Sequence, residues 1–217
     1  MLNLTRCIPY VDAERLWPTS GRHILASYDE ETVVVYQAFS PEIAAYAVEH
    51  QSFVGCPQYC TSRMTWIKPN FLWMMYRCGW CTKDRNQARV LALSVERDGF
   101  EEIIRRSVDV SLRATCDKDE FKTLMDTSDV RCQWDPDHDP SGKKLERRAI
   151  QLGLKGTTAQ DFVSKWIREI VDITDLLVAP QSEIALTSTN WSSLMVPPER
   201  VYAPLDEALD CFLNPPA

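Results

Sequence analysis

The sequence predicts an α+β domain with a largely antiparallel or mixed β-sheet and flanking helices. Strand-length runs of β-branched and aromatic residues recur along the chain, and helix patterns fall between some of them without strict alternation. The 217 residues, 45% of them hydrophobic, suffice for one full core, so residues 1–217 read as a single domain. Strict alternation would instead favour a parallel α/β fold, the runner-up.

Each element has a local reason. Segment 22–28 and the run from Thr32 to Phe39 read as a hairpin around Asp29-Glu30-Glu31, because Val33, Val34, Val35, Tyr36 and Phe39 suit a pleated surface. Ser40 then caps a helix with Pro41 at its first position and Ile43, Ala44, Ala47 and Val48 on one face, ending near Phe53. Pro69 followed by Phe71, Leu72, Trp73, Met74, Met75 and Tyr76 predicts a short, deeply buried helix stopped at Gly79. A buried strand follows at 90–95, then helices at 98–108 and 118–125. Strands at 130–134 and 148–154 flank a polar loop containing Asp137, His138 and Asp139. Thr157 and Gln160 form a capping-box pattern, and Phe162, Val163, Trp166, Ile167, Ile170 and Val171 fall on one face of the helix it predicts. From about 176 to 217, Pro180, Pro197, Pro198, Pro204 and Pro215-Pro216 read as an irregular tail.

A formal charge of −7 disfavours non-specific coating of nucleic acid. The longest apolar runs are six residues, too short to span a bilayer, and Arg6, Asp12, Glu14 and Arg15 break any secretory segment. The expectation is a cytoplasmic or nuclear protein, with no membrane partner and with its eight cysteines mostly free thiols packed as small hydrophobes.

The charge is unevenly spread. Residues 63–89 hold six basic residues (Arg63, Lys68, Arg77, Lys83, Arg85, Arg89) against one acid, +5 in a chain of −7. Trp66, Phe71, Trp73, Tyr76 and Trp80 lie among them, a pattern that suits stacking beside phosphate-binding cations. The bland alternative is that the aromatics are core and the cations pair with surplus acids. On a strand, Arg131, Gln133 and Asp135 share one face, with Arg147, Arg148 and Gln151 of the next strand as its extension; this is either a pocket wall or a solvated face. Cys56, Cys60, Cys78 and Cys81 have the spacing of a zinc site, but the apolar segment between the pairs argues for structural thiols, and no metal is expected. His23, His50 and His138 form no triad pattern. Gly153 and Gly156, before the helix at Thr157, offer either an anion-binding turn or a plain connection.

Ser27-Tyr28-Asp29, the run from Val35 to Phe39, the block from Arg63 to Trp80, Val130 to Pro136 and Ile150 to Leu154 resemble the uncharacterised domain-of-unknown-function family 4291 over about residues 20–205. The resemblance implies that Arg63, Thr65, Trp66, Lys68, Pro69, Trp73, Arg77, Arg131, Gln133, Trp134 and Asp135 belong to the defining pattern, and it brings no catalytic residues. The family pattern favours Ser near position 78 and Ala near 81, which further weakens zinc. Helicase names carried by some fungal members have no counterpart here, because the chain lacks a phosphate-binding G-x-x-x-x-G-K-[ST] loop.

The leading expectation is a protein that binds a nucleotide, or the nucleotide end of a nucleic acid, through Arg63, Trp66, Lys68, Trp73, Arg77, Arg131, Gln133 and Asp135. One enzymatic version is similar in size and strand-rich layout to ADP-ribosyltransferases, with NAD as cofactor and Arg22 or His23 on an early strand, the carboxylate unassigned. A non-catalytic RNA-binding or scaffold module is the alternative.

Overall fold

In a computed structural model, which describes residues 6–60, 62–206 and 209, the chain forms one α+β domain with mixed and antiparallel sheets. The elements run β1 (Ile8–Pro9), α1 (Tyr10–Leu16), β2 (Gly21–Arg22), β3 (Leu25–Ala26), β4 (Thr32–Phe39), α2 (Pro41–His50), β5 (Thr65–Ile67) and α3 (Phe71–Cys78). They continue with β6 (Arg89–Glu96), α4 (Arg97–Arg105), β7 (Ser107–Asp109), α5 (Lys118–Thr127), β8 (Val130–His138), β9 (Lys144–Leu154) and α6 (Gly156–Asp161). The last are β10 (Ile167–Asp172), α7 (Ala179–Thr187), β11 (Met195–Val196) and β12 (Arg200–Val201).

Two sheets organise the domain. The first is antiparallel, in the order β10-β6-β4; the second is mixed, in the order β2-β9-β8-β7, with β5 also paired to β9. They meet where Tyr36 and Lys68 exchange backbone hydrogen bonds, Tyr36 N–H to Lys68 carbonyl at 2.7 Å and the reverse at 3.2 Å. The near-continuous apolar run of β4 now has a cause. Val33 and Val35 face a core shared with α2, α4 and the second sheet, while Val34 and Tyr36 face a core shared with α1 and α3.

Helix ends follow local chemistry. The Ser40 hydroxyl accepts from Ile43 N–H and Pro41 opens α2. The Asn70 side chain accepts from Trp73 N–H at 2.6 Å at the start of α3, and Gly79 ends it at φ 57°. That first turn is further held by Glu199, whose buried carboxyl oxygens accept from Asn70 Nδ2 at 2.9 Å and from Phe71 N–H at 2.6 Å.

Four expectations are corrected, the first being the helix at 98–108, which stops at Arg105 and gives way to the strand Ser107–Asp109 beside β8. The segment from Thr157 is not one helix: α6 stops at Asp161, a wide turn spans Phe162–Trp166, and Ile167–Asp172 is a strand on the open edge of β6. Trp166 lies flat on Gly99 of α4, where no Cβ would fit, which pins the chain at the changeover. Ile167, Ile170 and Val171 fit a helical period as well as a β-branched strand, and an unfilled sheet edge decides between the two. The hairpin at 22–39 is reduced to a turn: the Asp29 carboxylate accepts from Glu31 and Thr32 N–H, one bridge joins Tyr28 to Val33, and β4 takes β6 as its partner. The C-terminal region is not simply irregular, since it supplies α7, β11, β12 and Glu199; Pro215, Pro216 and Cys211 lie outside the described residues. The two strands read at 130–134 and 148–154 pair as an antiparallel hairpin, and both are longer than the sequence predicts.

Candidate functional site

Strand alternation places the side chains of Gln133 and Asp135 on one face of β8. Register sets Gln133 opposite Gln151 of β9, and Gln151 Nε2 donates both to Gln133 Oε1 at 3.0 Å and to Asp135 Oδ2 at 2.8 Å. Against this amide-rich wall stand the end of β4, the start of β5 and the last turn of α3, where Met74 and Arg77 share a side at helical i, i+3 spacing. Between them is a cavity of about 650 Å³.

Lys68 is the central group. It is 6% exposed and lines the cavity, and among the described residues its ammonium has neither an ion pair nor a hydrogen bond. Burial, reinforced by the nearby charge of Arg77, pushes its pKa down to about 8, although Cys78 and Asp135 pull the other way. Roughly a tenth of the molecules then hold a neutral amine at pH 7. Arg63 and Arg77 also line the cavity, both exposed and, among the described residues, without a side-chain partner. Gln37, 3% exposed, donates to Thr65 Oγ1 at 2.7 Å and to Trp66 carbonyl at 3.1 Å, leaving its buried Oε1 unpaired. Trp66 adds an aromatic face, and it lies across Gly153 of β9, where a Cβ would come within 2.9 Å of the ring and 2.6 Å of Met64 sulfur.

The structure thus gathers Arg63, Trp66, Lys68, Arg77 and Gln133 around one cavity; Asp135 does not line it but is hydrogen-bonded to Gln151, which does. It does not bring Arg22, Trp73 or Arg131 there. Arg22 pairs with Asp109 at 2.8 Å and sits over Trp134, and neither it nor His23 lines the cavity. Trp73 is buried against Tyr76 and His138, with ring centroids 5.5 Å away in each case. The Arg131 guanidinium donates to the carbonyls of Met125 and Ser128, satisfying the C-terminal end of α5. Arg147 forms a buried pair with Asp137 at 2.7 Å. Within the basic block, Arg85 pairs with Glu42, and Arg89 with Asp172 and Asp175, so those two cations balance acids. The turn between Gly153 and Gly156 is occupied by the chain itself, since the Asp129 carboxylate accepts from Thr157 N–H at 2.9 Å and Thr157 hydroxyl at 2.6 Å. Gln37, Met74 and Gln87 were missed in the sequence. Gln37 alone had a signal, as the one amide in the apolar run of β4.

A larger cavity of about 980 Å³ is walled by Asp29, Glu31, Glu96 and Asp98 among others. Its arginines are committed, Arg168 to Glu96 and Arg97 to Asp29 carbonyl, Tyr202 hydroxyl and Ala203 carbonyl, so the smaller cavity is the one with unspent cations. Among the described residues no group of three or more His, Cys, Asp or Glu is placed to hold a metal ion, and no helix is long and apolar enough to cross a membrane.

Fold and cleft together define an α+β protein whose two main sheets meet at a cavity carrying a buried lysine that is unpaired among the described residues. The model of the family described as domain of unknown function (DUF4291) matches residues 23–202, and the chain belongs to that family. The residues named for the cavity all lie inside the matched span. No curated protein matches the chain.

Proposed function

We propose that the cavity binds a nucleotide and that the protein is a group-transfer enzyme acting on it. The observation that supports this is Lys68: an ammonium largely withdrawn from water and, among the described residues, without a counter-ion is costly, and a bound anion offsets that cost. Arg63 and Arg77 supply two further unspent cations, Trp66 a stacking face, and the amides of Gln37, Gln133 and Gln151 groups able to read a base edge or ribose hydroxyl. Phosphates sit with the cations and the base with Trp66.

NAD is one ligand of this class. The ADP-ribosyltransferase version draws no support from Arg22, which is tied to Asp109 away from the cavity; the NAD reading therefore rests on the cavity residues alone.

The test is thermal unfolding with NAD, ATP, ADP-ribose and a short single-stranded RNA. Ligand at about 100 times its dissociation constant adds roughly 2.7 kcal/mol, which is about 5–10 °C for a domain of this size. A rise with a mononucleotide or dinucleotide that is lost in Arg77→Ala supports the reading. A rise with RNA alone that vanishes at high salt transfers it to a binding module. No rise with any of the four refutes the nucleotide site.

A further inference from the structure

We propose that Lys68 is a nucleophile whose side-chain nitrogen attacks the α-phosphorus of a bound nucleotide to form a covalent lysyl–nucleotidyl intermediate. This rests on the cavity being the nucleotide site. A lysine that only neutralises phosphate serves best charged and hydrated at the mouth, where Arg63 and Arg77 already stand. Lys68 is instead buried at the junction of the two sheets. Its backbone is fixed by both hydrogen bonds to Tyr36, and among the described residues no carboxylate pairs with it.

The surroundings divide the labour. An arginine keeps its charge at any working pH, whereas a desolvated lysine gives up its proton near neutrality. Arg77 therefore favours the neutral amine and remains available to hold the charge that leaves. Asp135, held by Gln151 at 2.8 Å, acts on the charge of Lys68 from beyond ion-pair distance, so the proton leaves the amine for the solvent that fills the open cavity. In the step the N–P bond forms and the bond from the α-phosphorus to the leaving-group oxygen breaks, its electron pair departing with that oxygen. The lysine proton passes to solvent in the cavity. The leaving group is pyrophosphate from a triphosphate, or nicotinamide mononucleotide from NAD.

The experiment uses the full chain with the magnesium complexes of ATP and GTP labelled at the α-phosphate, and with NAD labelled in its adenylate phosphate. Protein-bound label is measured after denaturation and its position is mapped by mass spectrometry. The expected result is label stable to base, released by acid as a phosphoramidate is, mapped to Lys68, and absent both in Lys68→Met and with ATP labelled at the γ-phosphate. The donor that labels identifies the leaving group. A nucleotide that raises the unfolding midpoint yet leaves no label, or label on another residue, overturns the nucleophile and keeps the nucleotide site. If no nucleotide raises the midpoint, the site and the nucleophile fall together.

Discussion

Replacing Lys68 with methionine should make the protein more stable while removing its function. Lys68 releases its proton at about 8 in the folded chain against 10.5 for an ordinary lysine. That difference corresponds to about 3 kcal/mol favouring the unfolded, protonated lysine. The sign follows from proton counts: between the two values the unfolded chain binds more protons than the folded one, so stability rises with pH through that window. Below pH 8 the full cost is present. Methionine has a similar length, no charge and a flexible stem that packs in irregular gaps, so Lys68→Met removes the cost at pH 7. The expected gain is up to about 3 kcal/mol, or roughly 6–12 °C in unfolding midpoint for a chain of this length. Melts of both proteins from pH 6 to pH 10 check it, because the gap should narrow steadily above pH 8 as the wild-type lysine loses its charge. The same variant should lose the midpoint rise produced by nucleotide. A methionine variant equal to or less stable than wild type at pH 7, or a gap that does not change with pH, would refute the picture of a buried lysine without a counter-ion.

Three further outcomes follow from the same geometry. Arg77→Ala, at an exposed position, should change stability by no more than about 0.5 kcal/mol while weakening nucleotide binding, and it should move the pH at which Lys68 titrates upward, read from the pH dependence of the midpoint. Gly153→Ala forces a methyl group against Met64 and the Trp66 ring; a loss of about 1–3 kcal/mol and a shift in tryptophan emission are expected, and an unchanged spectrum with full nucleotide binding would show that Trp66 does not depend on this glycine. Glu199→Ala leaves Asn70 Nδ2 and Phe71 N–H without their buried acceptor, so urea unfolding should show a loss of about 2–5 kcal/mol, whereas a loss below about 1 kcal/mol would mean that α3 is held by its apolar face alone.

Much of the scaffold around the cavity is written locally. Ser40 and Pro41 start α2, Asn70 and Gly79 bound α3, and the alternation of β8 places Gln133 and Asp135 on one face, because caps, left-handed stops and the two-residue strand period each depend on near neighbours in the chain. The block of Arg63, Trp66, Lys68 and Arg77 was visible for the same reason, as a local excess of charge and aromatics. Tertiary structure alone decided what those charges do. Arg85 and Arg89 look no different in sequence from Arg63 and Arg77, yet Glu42, Asp172 and Asp175 reach the first pair and, among the described residues, no acid reaches the second. Arg22 and Arg131 were likewise claimed by Asp109 and by the end of α5. Ile167 to Asp172 became a strand because β6 had an open edge, and Glu199 became the anchor of α3 because chain closure carried it 129 positions back to Asn70. Local periodicity and capping act over a turn or two of chain. The state of an ionisable group depends instead on which distant residue shares its low-dielectric surroundings, and that is set only when the sheets meet.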